Sequence, residues 1–412
     1  MTNHTHYAQL INEKRTTTVT AFPKISKNLS RRGFIGASTL APAALMLQAG
    51  EAHAAANTRA QLAAVHSGSP AHQLLYKTDE FFIAHRGAGN ISPEHTAYAY
   101  AESVRRGALA VEISVRTTSD GQFVCMHDTN IKRTTGASMD VRGHTLAELR
   151  RYKVNMRKNL GEKTDLYDIP TLEEAIAAVD AVPAGGEYAS VGGKKVVLFL
   201  EAKDGPAQAG LVKFITERGL QRRTVIKMYR DGSGGFKPTS RYLKLANSAG
   251  CATWCYFDGG DPIDKISAMA RHENVDAIGV PYYEKPTGAS QGSMSEENVR
   301  ALTGLGKAVI VWEIHRRSAY EKYKALGVKG FMCPDPYWVI GDPFDSSVKI
   351  KTGKRPHGML PADPSVAADM PDLTGVAIVH NQRYDESVLL GPLANYTLSL
   401  IHISEPTRRT PI

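Results

Sequence analysis

Nine short runs rich in Val, Ile and aromatic residues recur along the middle of the chain, at 81–86, 109–115, 122–127, 196–203, 224–229, 252–257, 277–282, 308–314 and 330–334. Helix-like segments fall between them at 95–106, 171–180, 207–218, 239–249, 296–305 and 318–326. Strands that alternate with helices point to a parallel sheet. Runs that are apolar at nearly every position suit strands covered on both faces. After the first run, His85-Arg-Gly-Ala-Gly89 lacks the third glycine and the acidic partner of a dinucleotide fingerprint. Eight strands over roughly 260 residues therefore predict an α/β fold, a (β/α)8 TIM-type barrel whose working groups sit at the C-terminal strand ends. The ninth run is surplus. It is expected from a hairpin-like pairing of 109–115 with 122–127 through the turn Thr118-Ser-Asp-Gly121.

Several runs end in ionisable groups. Ile83-Ala-His-Arg-Gly87 delivers a histidine and an arginine, Ala110-Val-Glu-Ile-Ser-Val115 a carboxylate, and Phe123-Val-Cys-Met-His-Asp128 a second histidine. Alternate residues of a strand share a face, so Ile83 goes with His85, Glu112 with Ser114, Cys125 with His127, and Glu201 with Lys203. A core has no use for such groups unless they meet and react. Together they predict one catalytic mouth.

Composition adds limits. The net charge of +9 is concentrated partly in the first 59 residues, which hold Lys14, Arg15, Lys24, Lys27, Arg31, Arg32 and Arg59 against Glu13 and Glu51. No basic cluster is interleaved with aromatics, which argues against a nucleic-acid partner. Residues 1–54 read as an export signal. Ser30-Arg-Arg-Gly-Phe-Ile35 resembles the twin-arginine translocation motif without its usual final lysine, a weakly apolar run follows, and Ala52-His-Ala54 offers a cleavage pattern. That run is shorter than the roughly 20 residues a spanning helix needs, so no stable membrane span is expected. A mature chain beginning near Ala55 would be periplasmic or secreted.

The four cysteines do not suggest a disulfide framework. Cys251 and Cys255 would lie about 13 Å apart in an extended run, too far to bridge. Residues 55–79 read as an N-terminal extension, 80–350 as the barrel, 351–372 as a Pro-rich linker and 373–397 as the start of a β-rich module. Residues 398–412 resemble translated sequencing-adapter DNA.

One family joins these motifs. His85-Arg-Gly, Pro93-Glu-His-Thr96, Glu112-x-Ser114, the 118–121 turn, His127-Asp128, Arg133-Thr-Thr-Gly136, Pro170-Thr-Leu-Glu-Glu174, Glu201-Ala-Lys203, the strand with Trp312, and Gly327-Val-x-Gly330 before Pro334-Asp-Pro336 follow the order and spacing of a glycerophosphodiester phosphodiesterase. The chain resembles that family over roughly 80–345. The resemblance implies a TIM-type barrel that hydrolyses phosphodiesters with a divalent cation, Ca2+ or Mg2+. On it, Glu112 and Glu201 would hold the metal, Arg86 and Lys203 would bind phosphate, His85 and His127 would divide acid and base catalysis, and Trp312 would wall the substrate pocket.

Two positions depart from the family pattern. His95 stands where the family has Asn, and Ser114 replaces the second carboxylate of its Glu-x-Asp pair. A hydroxyl is a poorer ligand than a carboxylate for a hard cation, so metal affinity is expected to fall. Water, Glu94 or Asp128 could complete the shell. The expected partner is a small-molecule phosphodiester, cleaved by a neighbouring hydroxyl or by water into glycerol 3-phosphate and an alcohol. The oligomeric state is not legible in the sequence. The alternatives are a related-barrel phospholipase on lysolipids or sphingolipids, and a noncatalytic phosphate-binding protein.

Overall fold

The computed structural model describes residues 68–89, 92–156, 165–185, 191–283, 292–314, 317–334, 336 and 339. The export signal, the linker, the terminal module and most of the N-terminal extension lie outside these residues.

Among the described residues nine strands form: β1 (Phe81–Ala84), β2 (Ala110–Thr117), β3 (Phe123–Cys125), β4 (Val197–Ala202), β5 (Thr224–Tyr229), β6 (Ala252–Tyr256), β7 (Ala277–Pro281), β8 (Ala308–Trp312) and β9 (Gly330–Cys333). The strand order is β1-β9-β8-β7-β6-β5-β4-β2, and β1 also pairs with β2, closing an eight-stranded parallel barrel. The fold is thus a (β/α)8 barrel. The surplus strand is β3, which runs antiparallel to β2 with Val115 opposite Cys125, as the 118–121 turn predicts.

Helices α1 (Ala97–Arg105), α2 (Leu172–Asp180), α3 (Gly205–Glu217), α4 (Arg241–Ser248), α5 (Ile263–Arg271), α6 (Glu296–Thr303) and α7 (Arg317–Ala325) supply the crossovers. Their starts are written in the sequence. Thr96 caps α1 by accepting from the Ala99 amide, Thr171 and Glu174 make a reciprocal capping box on α2, and Asp204 caps α3. The Pro170-Thr-Leu-Glu-Glu174 motif is therefore at least partly a helix start. Helix α5 was not expected from the sequence. It has no side-chain N-cap, since Pro262 stands there, although Ile263, Ile266, Met269 and Ala270 carry the helical period.

Inside the barrel, Phe81, Ile83, Val197, Phe199, Val225, Trp254, Ile310 and Met332 form one buried cluster. Each contributes about 2 kcal/mol relative to exposure. Ala71, Leu74 and Leu75 join this cluster from the segment before β1, which packs on the turn Gln221–Arg223 ahead of β5. Gly279 on β7 makes room within it. A Cβ there would stand 2.4 Å from Tyr256 Cβ and 2.6 Å from Trp254 Nε1. All four cysteines are buried free thiols. No helix of the described residues is long and apolar enough to cross a membrane.

Candidate active site

The loop after β1 is wound tightly. Arg86, Ala88 and His95 have φ of 55°, 62° and 56°, a region costly for residues with a Cβ. Gly87 also has positive φ (75°), and a Cβ on it would meet Ala99 Cβ at 2.9 Å. The His85 carbonyl accepts from the Gly89 amide and the Arg86 carbonyl from the His95 amide. This winding leaves His85 and Arg86 on the wall of a cavity of about 760 Å³ at the C-terminal strand ends.

Lys203, Glu201, His127, Asp128 and Trp312 line the same cavity. Glu112 and Ser114 lie behind that wall, fully buried, and so does Glu94 at 1% exposure. All ten residues picked from the sequence therefore gather at one barrel end, seven on the wall and three behind it.

His127 lies beyond the end of β3, so strand alternation does not aim it. The Met126 amide donates to the Ser114 carbonyl at 3.0 Å, and Arg116 donates Nε and Nη2 to the His127 carbonyl at 2.9 and 2.8 Å. Its Nδ1 lies 2.9 Å from Asp128 Oδ1. Burial, then the positive charges of Arg86 and Lys203, hold its pKa well below the ordinary histidine value. His85 Nδ1 lies 3.3 Å from Glu313 Oε1 and its Nε2 lies 3.8 Å from Glu112 Oε2.

Glu94 is tied to the arginines. Arg133 donates Nη1 and Nη2 to its two oxygens at 2.8 and 2.7 Å, and Arg86 Nη1 reaches Oε1 at 3.4 Å. Arg133 also donates Nε to Asp128 Oδ2 at 2.6 Å. Both carboxylates thus hold the cationic wall in place.

One residue missed from the sequence is Lys227. It points inward from β5, with Nζ 3.1 Å from Glu112 Oε1 and 2.8 Å from Glu201 Oε2. The rings of Trp254 and Tyr256 lie 5.6 and 5.3 Å from the ammonium. A lysine within the apolar run Val225-Ile-Lys-Met228 was the available signal, with the same parity as Val225 and Tyr229. Glu313, just past Trp312 and 5% exposed, was also overlooked.

The divalent cation expected on Glu112 and Glu201 does not fit this donor set. The Lys227 ammonium stands between those carboxylates. The Ser114 hydroxyl donates to Glu112 Oε1 at 3.0 Å instead of offering a second charge. Glu201 Oε1 accepts from Lys203 Nζ at 3.1 Å and Tyr256 Oη at 2.7 Å. Among the described residues no group of three or more His, Cys, Asp or Glu side chains is placed to hold a metal ion. Burial pushes the two carboxyls up, but Lys227 and His85 beside Glu112, and Lys203 and Lys227 beside Glu201, outweigh it. Glu112 ends far below the ordinary carboxylate range and Glu201 falls to about 2.

The profile of the Glycerophosphoryl diester phosphodiesterase family matches residues 85–225. A glycerophosphodiester phosphodiesterase of Caldanaerobacter subterraneus subsp. tengcongensis is 25% identical over 264 residues, covering 63% of this chain and 95% of that protein. Human glycerophosphodiester phosphodiesterase 1 is 39% identical over 97 residues, 23% of this chain and 29% of its own length. An Oleispira antarctica phosphodiesterase, solved in complex with sn-glycerol-3-phosphate, aligns at 19% identity with a TM-score of 0.49, over 63% of this chain and 94% of its own. Family members generally depend on a divalent cation, typically Ca2+. The matched span runs from His85 past Lys203, so this stretch of the chain is similar to the glycerophosphoryl diester phosphodiesterase family, a family of phosphoric diester hydrolases.

Proposed function

We propose that this chain hydrolyses glycerophosphodiesters to glycerol 3-phosphate and an alcohol. The observation that carries the reading is the meeting of His85, His127, Arg86 and Lys203 on one cavity wall. Arg86 and Lys203 neutralise the phosphoryl oxygens, and the Arg86 guanidinium offers a planar fork to them.

His127 is the general base. Its depressed pKa keeps it neutral near pH 7. With its Nδ1–H donated to Asp128, Nε2 is left to take a proton from an attacking water. His85, flanked by Glu112 and Glu313, is the general acid. An imidazolium there is balanced by two carboxylates and returns its proton to the leaving alkoxide. One P–O bond forms, the other breaks, and the proton taken at His127 is matched by the one given at His85. Trp312, edge-on to Tyr256 with ring centres 5.5 Å apart, forms an apolar wall for the alcohol part.

Export by the twin-arginine route belongs to the same reading, supported by Ser30-Arg-Arg-Gly-Phe-Ile35 and the Ala52-His-Ala54 pattern. Replacing Arg31 and Arg32 with Lys should then retain the protein in the cytoplasm on cell fractionation.

The enzymatic test is a panel of glycerophosphocholine, glycerophosphoethanolamine and lysophosphatidylcholine, with the phosphate-bearing product of each identified by mass spectrometry. Release of glycerol 3-phosphate from the water-soluble diesters, abolished in His85→Ala and His127→Ala, supports the reading. Absence of turnover on every substrate, with and without added metal, overturns it.

A further inference from the structure

We propose that the Lys227 ammonium stands where a divalent cation would be expected and does its work, so that this chain hydrolyses its substrate with no metal bound. The catalytic half of this inference rests on the phosphodiesterase reading. The binding half does not.

Geometry is the first support. Nζ of Lys227 lies between Glu112 and Glu201, 3.1 and 2.8 Å from one oxygen of each. These are the carboxylates that the family resemblance assigns to a metal. The side chain is 6% exposed and its ammonium lies near two aromatic rings, an environment that suits a monovalent organic cation.

The remaining carboxylate oxygens are occupied. Glu112 Oε2 accepts from the Arg86 amide at 3.2 Å, and Glu201 Oε1 from Lys203 and Tyr256. A divalent ion entering the gap would have to displace an ammonium held by two buried charges. It would also sit beside the Lys203 ammonium, which bonds the same Glu201.

Charge balance is the second support. With a carboxylate at position 114, the pocket would hold three negative charges, and a divalent ion would leave one of them unbalanced. With Ser114, two carboxylates and one ammonium leave the same single negative charge. Ser114 and Lys227 thus read as one matched change. Its chemical consequence is concrete. An ammonium has three N–H donors, of which two face the carboxylates. Lys227 also lines the cavity, so its third N–H is left for a phosphoryl oxygen, as a cation would be.

The test uses the full chain freed of metal by excess chelator. Three measurements run in parallel: hydrolysis of glycerophosphocholine, calorimetric binding of glycerol 3-phosphate in chelator, and calorimetric titration with Ca2+ and with Mg2+. The wild type is expected to turn over equally with chelator and with added metal, to bind glycerol 3-phosphate in chelator, and to give no metal-binding heat. Lys227→Met should weaken glycerol 3-phosphate binding in chelator by about tenfold or more. The double variant Ser114→Asp with Lys227→Met should gain Ca2+ binding that the wild type lacks. That gain also guards against a Lys227→Met chain that fails to fold.

Wild-type turnover that vanishes in chelator and returns with Ca2+ overturns the inference, as does tight Ca2+ binding by the wild type. Should no diester be hydrolysed under any condition, the phosphodiesterase reading fails. The metal titration of wild type against the double variant still decides the role of Lys227.

Discussion

Arg133 grips Glu94 with both terminal nitrogens, at 2.8 and 2.7 Å, across 39 positions of sequence. The pair ties the segment after β3 to the loop after β1, and so fixes Asp128 and His127 relative to Arg86. Glu94 is fully buried and held well below the ordinary carboxylate range. Burial opposes this, and Arg133 and Arg86 outweigh it. Arg133→Ala leaves that carboxylate with Arg86 alone, and breaking a buried pair costs about 3–5 kcal/mol. The expected result is a lower denaturant midpoint, together with a raised KM because Arg86 is drawn back towards Glu94. A change under 1 kcal/mol, which is roughly what an exposed pair is worth, would count against this role.

The two histidines give a kinetic prediction. Each alanine substitution should lower kcat by about 10²–10⁴-fold. The acid limb of the wild-type kcat/KM profile should lie well below pH 6.5, because His127 is held neutral there by burial and by Arg86 and Lys203. Arg86→Met removes one of those charges, so the limb should move towards higher pH. A limb that stays put or moves down separates His127 from the base role.

His95 should make stability fall in mild acid. Burial lowers its pKa to about 4, further helped by Arg86, while Glu112 and Glu94 oppose. The unfolded state binds a proton near pH 6.5 and the folded state only near pH 4, so stability is complete above the unfolded value and is lost as pH drops between the two. The loss integrates to about 3 kcal/mol for one such group. His95→Asn should flatten this stretch of the curve, measured as thermal midpoint against pH. An unchanged slope would falsify the assignment.

Gly279→Ala should damage both fold and site. Its Cβ would crowd Tyr256 and Trp254 inside the barrel, and such overpacking costs about 1–3 kcal/mol. Tyr256 donates to Glu201, so kcat should drop along with the thermal midpoint. Loss of stability with full activity would show that the ring shifts without moving Glu201.

Much of the barrel was readable from local information. Strands buried on both faces are near-continuous apolar runs, and all nine appear where the sequence has them. The turn Thr118-Ser-Asp-Gly121 identified β3 as the one outside the barrel, since its Thr118 amide closes on the Gln122 carbonyl and Gly121 takes φ of 79°. Helix α5 escaped because it starts on Pro262 instead of a polar cap. The gathering of His85, Arg86, Glu201 and Lys203 was readable because each stands at or just past a strand end, and a parallel barrel carries those ends to one rim.

The amino-acid sequence by itself determined the barrel, the rim and the residue types on it, because periodicity and turn chemistry act over a few positions. Only the tertiary structure decided what those residues hold. Glu112 and Lys227 are 115 positions apart, and no local pattern shows that the closing of the barrel sets an ammonium between two carboxylates. Ser114 looked like a weakened ligand when read along β2. Beside Lys227 it is half of a charge balance, since buried charges must be paired wherever in the chain the partner lies.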